Sequence, residues 1–80
     1  MENMSIATFK ILLAKRIRQL RTEAELSQPQ LAMLLNFKDK QIISRYEVSG
    51  ANPTAYNLVL IAKALNVTVD ELLDFSKLKE

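Results

Sequence analysis

Between Ser27 and Asn36 the chain carries a helix start and a helix stop only nine positions apart. Ser27 can cap a helix, and Gln30, three residues on, can reach back to the Ser27 amide as a capping box. Pro29 falls in the first turn, where no amide donor is needed. Leu31, Leu34 and Leu35 supply a buried face, and Asn36 tolerates the left-handed conformation that closes a helix. The spacing predicts a helix over Gln28 to Leu35, about two turns long. After only Phe37 and Lys38, Asp39 can cap a further helix over about Lys40 to Glu47. There Ile43 and Tyr46 face a core, and Lys40, Gln41, Ser44 and Arg45 stay outside. Two short helices flanking a tight turn are therefore the centre of the fold.

The rest of the chain also reads as helical. Glycine occurs once and proline twice in 80 residues, and no alternating apolar pattern persists, so hairpin punctuation is absent. A first helix is expected from about Thr8 to Ala24, with Phe9, Leu13, Ile17 and Leu20 as its apolar stripe and Lys10, Arg18 and Arg21 off it. Ser49 to Pro53 reads as a loop. Thr54 caps a fourth helix that turns Leu58, Ile61, Ala62 and Leu65 inward, and Asn66 closes it. Thr68 and Glu71 form a second capping box opening a short fifth helix, whose Leu72, Leu73 and Phe75 return to the core. The expected fold is all-α, a five-helix bundle, with an N-terminal extension over residues 1–7, a domain over 8–75 and a polar, frayed tail over 76–80.

A chain this short buries only about 60 to 65% of its unfolded surface, enough for one core. It contains no cysteine and no histidine, so disulfides, thiolate metal sites and the commonest neutral-pH base are all missing. Asp70, Glu71 and Asp74 read as helix-start and solvent-facing charges, so neither an enzyme nor a metal or cofactor is expected. Apolar runs such as Ile11 to Ala14 fall far short of the roughly 20 residues that span a bilayer. No signal-like segment is seen, and the expectation is a cytoplasmic protein without membrane contact. The net charge is +2, divided as +4 over residues 1–46 and −2 over residues 47–80. A basic N-terminal half suits a polyanion, although solvated helix faces would read the same way.

A helix with a polar, basic face following a short helix and a turn matches what a DNA major groove admits. Lys40, Gln41, Ser44 and Arg45 gather on one side. Arginine or lysine can donate to guanine O6 and N7, glutamine can pair with adenine N6 and N7, and serine suits several edges. Lys38 and the amides near Gln28, at the start of the second helix, suit phosphates. Taken alone, the same residues could be a pair of packed helices with a solvated face.

Several motifs in sequence go further: Ile17-Arg-Gln-Leu-Arg21, Leu26-Ser-Gln-Pro-Gln-Leu-Ala32, Ile43-Ser-Arg-Tyr-Glu47, Asn52-Pro53 and the run Ile61 to Leu73. Together they resemble the Xre/Cro/C1-type helix-turn-helix family of phage and bacterial repressors. The resemblance covers about Leu13 to Leu73 and implies a lambda-repressor-like fold. It implies that Gln28 contacts a phosphate and supports the reading helix, and that Lys40, Gln41 and Arg45 touch base edges, with Ser44 beside them. It also implies a partly buried architectural salt bridge between Arg21 and Glu47.

Three departures from the family pattern stand out. One extra residue lies between Leu35 and Ile43, so either the turn is longer or the third helix starts later, and the register of Lys38 to Ile42 shifts by up to one position. Asn36 and Asn66 replace glycines. The loop after Glu47 reads Val-Ser-Gly-Ala, where relatives often carry glycine and basic residues that grip the DNA backbone.

The expected function is that of a sequence-specific transcription regulator, a repressor acting as a homodimer on a palindromic operator with half-sites about 10 bp, or a multiple, apart. Leu58, Val69, Phe75 and Leu78 exceed what so small a core needs and are candidates for the dimer surface, although for Leu58 and Val69 a place in the core is the first expectation. The competing expectation is a protein-binding module, such as an antitoxin-like subunit or adaptor with a protein partner, built on the same fold.

Overall fold

The computed structural model describes residues 4–50 and 52–79. Five α-helices follow one another: α1 Ile6–Glu23, α2 Gln28–Leu34, α3 Gln41–Ser44, α4 Ala55–Ala64 and α5 Val69–Leu72. α3 runs directly into a π turn at Arg45–Ser49, and Phe75–Lys77 forms a 3₁₀ turn. No strand occurs among the described residues, in keeping with the all-α expectation.

α1 begins earlier than its apolar stripe suggests. Ser5 is extended and its hydroxyl accepts from the Thr8 amide at 3.1 Å, an N-cap that brings Ile6 and Ala7 into the helix. The extension expected over residues 1–7 therefore becomes helical at Ile6, and residues 1–3 lie outside the described residues. Leu13, Ile17 and Leu20 of α1 are buried against Leu31, Ala32 and Leu35, against Ile43 and Tyr46, and against Ile61, Ala62, Leu65 and Leu72. Phe9 packs edge-on against Phe75, with ring centroids 5.8 Å apart. Leu58, Val69 and Phe75 are partly buried and pack against this core.

α2 carries the capping box: the Gln30 amide donates to Ser27 Oγ at 3.1 Å, and the Ser27 amide to Gln30 Oε1 at 2.7 Å. Thr68 and Glu71 repeat it at α5. Three helices end alike, with a left-handed residue followed by an amide that reaches back five positions. Leu26 N bonds to Arg21 O after Glu25, Phe37 N to Ala32 O after Asn36, and Val67 N to Ala62 O after Asn66. The asparagines stand where sequence placed them. Glu25 had no such sequence signal.

The third helix, expected over Lys40 to Glu47, starts at Gln41 and changes pitch after Ser44. Six residues, Leu35–Lys40, separate it from α2. Asp39 still acts at the helix start, accepting from the Gln41 amide at 2.9 Å. Beyond the π turn, Gly50 has φ +66° and ends the segment. A Cβ there would lie 3.2 Å from both the Lys10 carbonyl oxygen and Cβ, so glycine serves the turn and the close approach to α1 together.

Two polar contacts hold the C-terminal part. Arg16, only 3% exposed, donates Nε and Nη2 to the Glu71 carbonyl at 3.1 and 2.9 Å, placing a cation on the closing end of α5. Arg16 lies three residues after Leu13 and four before Leu20, at the edge of the apolar stripe of α1, and it is buried there. The tail expected to fray is also tied down. Gln19 Nε2 donates to the Lys77 carbonyl and Gln19 Oε1 accepts from the Lys79 amide, both at 2.9 Å. Glu80 lies outside the described residues.

Candidate nucleic-acid interface

The segment from α2 through the π turn is fixed from behind. Ile43 and Tyr46 are buried in the core, and Asn57 Nδ2 of α4 donates to the Tyr46 hydroxyl at 3.1 Å. Glu47 anchors the far end with a side chain 1% exposed. Arg21 meets it with two bonds, Nε to Oε2 at 2.6 Å and Nη2 to Oε1 at 3.0 Å, and turns Nη1 to the Leu26 carbonyl at 2.7 Å. Gln28, the first residue of α2, donates Nε2 to Glu47 Oε1 at 3.1 Å. One carboxylate thus joins the end of α1, the start of α2 and the segment after α3.

Outward from this frame, Lys38, Lys40, Gln41 and Arg45 are exposed. Lys40 is the residue before α3, with φ −75° and ψ −8°, and Gln41 opens the helix. Ser44 is half-buried, so it offers less to a ligand than its neighbours. Gln28 is half-buried too, with one amide proton engaged by Glu47. Among the described residues none of Lys38, Lys40 and Arg45 enters a salt bridge; the acids near them in sequence are otherwise engaged, Asp39 by the Gln41 amide and Glu47 by Arg21 and Gln28. The surface therefore presents cations without internal counter-ions beside an amide side chain, on elements whose backs are buried. Val48, in the π turn that follows α3, is exposed as well.

A family model described as helix-turn-helix matches residues 17–72, more than half of the chain. The chain belongs to the Xre/Cro/C1-type helix-turn-helix family. Membership makes it a non-enzymatic DNA-binding protein of the transcription-regulator kind. No curated protein matches the chain. Among solved structures it is similar to the restriction-modification controller protein C.AhdI from Aeromonas hydrophila. The TM-score is 0.73 at 32% identity, over 79% of this chain and 94% of that one. It is also similar to the hypothetical transcription factor NHTF from Neisseria, with a TM-score of 0.75 at 27% identity over 91% of this chain and 83% of that one. The family match begins at Ile17, so it takes in Arg21, Gln28 and Glu47 together with the exposed cations. No helix among the described residues is long and apolar enough to cross a membrane.

Proposed function

We propose that the chain is a sequence-specific repressor that inserts α3 and the π turn into the DNA major groove, as a homodimer on a palindromic operator. In this reading Lys40, Gln41, Ser44 and Arg45 meet base edges, with Arg45 suited to guanine and Gln41 to adenine. Lys38 and Gln28 meet phosphates, and Glu47 holds Gln28 in place through the Arg21 pair. The observation that carries the reading is the group of exposed cations, Lys38, Lys40 and Arg45, without salt-bridge partners among the described residues, on a segment locked from behind by Tyr46 and Glu47. A surface so built gains by meeting a polyanion and loses little order in doing so.

Pairing follows from size, since a single module this small buries too little surface for tight specific binding. Leu34, which the α2 pattern assigns to the buried face with Leu31 and Leu35, is exposed, and with Tyr56 and Val59 it is apolar surface available to such a pairing. The protein would work in the cytoplasm, without a cofactor, by occluding a promoter.

Titration of random duplex DNA at two salt concentrations tests the reading. Affinity should fall steeply as salt rises, by about 0.9 logarithmic units per tenfold salt for each phosphate neutralised. No affinity, or affinity indifferent to salt, would remove the DNA reading and leave a protein-binding module of the same fold.

A further inference from the structure

Up to Thr22, α1 carries five cations, Lys10, Lys15, Arg16, Arg18 and Arg21, and no acid. Two of them are taken up inside the fold, Arg16 by the Glu71 carbonyl and Arg21 by Glu47. Lys10 and Lys15 enter no salt bridge among the described residues. Neither has an acid three or four positions away, where a helix places an ion-pair partner. Both charges are thus left without a counter-ion on their own helix.

Both also stand where the reading segment ends. Gly50 closes the π turn so near Lys10 that a Cβ on the glycine would lie 3.2 Å from the Lys10 Cβ. Lys15 lines, with Ile11 and Ala14, a shallow depression of about 160 Å³ that reaches Glu47 and Gly50. Lys15 is exposed and Lys10 half-buried, each with its ammonium on a flexible four-carbon stem. The two positions precede Ile17, where the family match begins.

A major groove about 12 Å wide is walled by phosphates on both sides, so a segment lying in it has phosphates near its end as well as its start. Lys38 stands at the start. We infer that Lys10 and Lys15 bind the phosphates at the other end, so that α1 grips the DNA backbone beside the reading segment. The inference rests on the proposed insertion of α3 and the π turn into the groove. An acidic protein surface would suit the same lysines, but their place at the end of a segment that presents Lys40, Gln41 and Arg45 favours DNA.

The test titrates the full chain with random duplexes, and with a duplex that the unmodified protein selects from a random pool, over a range of salt. Lys10→Gln and Lys15→Gln keep much of the stem and remove the charge. Each should lower the salt slope by about 0.9, so that the affinity lost grows about eightfold for each tenfold fall in salt. Phosphates carry no sequence, so the loss should be equal on random and selected duplexes. Lys10→Arg and Lys15→Arg should keep the unmodified slope, because the effect follows charge. Lys77→Gln, which removes the same charge from the tail, should leave the slope unchanged. Melting temperatures check that every variant is folded under the conditions of the titration. An unchanged slope in either α1 glutamine variant, an equal fall in Lys77→Gln, or a loss confined to the selected duplex overturns the assignment. If Lys38→Ala lowers the slope while the α1 variants do not, only the α1 contact falls. If the unmodified protein shows no salt-dependent affinity at all, the DNA reading falls, and the inference with it.

Discussion

Arg21 and Glu47 stand 26 positions apart and form a two-bond ion pair in which the carboxylate is almost wholly buried. Removing one member leaves the other charge in a poorly hydrated place. Glu47→Ala is therefore expected to destabilise the domain by about 3 kcal/mol in chemical denaturation. Arg21→Met with Glu47→Leu should cost less than Glu47→Ala alone, because no charge is then stranded. If the two variants rank the other way, the pair contributes more by attraction than by mutual compensation.

If the proposed face meets DNA, Arg45→Ala should weaken binding to a selected duplex by about 1–3 kcal/mol and relax the base preference at one position. Lys38→Ala should weaken binding to all duplexes alike and lower the salt slope by about one. Fluorescence anisotropy at several salt concentrations distinguishes the two, and both variants should melt like the unmodified protein.

Two left-handed residues should respond oppositely to substitution. Glu25, at φ 60°, bears the strain that an L side chain meets in this region. Glu25→Gly should raise stability by about 0.5 kcal/mol, the relief of strain less the added freedom of the unfolded chain. Gly50→Ala combines the same strain with a methyl group pressed 3.2 Å from the Lys10 carbonyl oxygen, and should lower stability by about 2 kcal/mol. Thermal unfolding measures both.

Acid should loosen the C-terminal part first. The Thr68 amide, bonded to Glu71, and the Ser76 hydroxyl, bonded to Asp74, hold these carboxyls below their ordinary values. Each group then binds its proton more weakly in the folded state than in the unfolded one. Its contribution is present above the unfolded value, near 4.3 for Glu and 3.9 for Asp, and is lost as pH falls through the lowered folded value. The melting temperature should drop as pH falls below about 4, and Glu71→Gln, which removes one titrating group, should flatten that drop.

Local signals told most about this fold. Ser27 with Gln30, Thr68 with Glu71, and Asn36 and Asn66 each act within a few residues, so they could be recognised before any tertiary structure was known. Arg16 and Gln19 could not, since their partners lie 55 to 60 positions away and only folding brings them together. The reading helix fell between these cases. Its exposed face was legible from Lys40, Gln41 and Arg45. Its start was one residue off because two α2-closing residues and Asp39 compete for the same short stretch. The change of pitch at Arg45 exchanges one backbone hydrogen-bond pattern for another without altering the order of buried and polar side chains, so it left no trace in the sequence.

That change of pitch also governs how the domain can be re-aimed. A reading helix transplanted residue for residue from a relative with a regular α-helix would bring the right side chains at Gln41 and Arg45. It would rotate whatever follows, lifting the Glu47 position away from Arg21 and the Gly50 position away from Lys10. Exchanges confined to positions 40–45 should transfer target preference intact. Longer grafts should need the stretch through Gly50 to remain native.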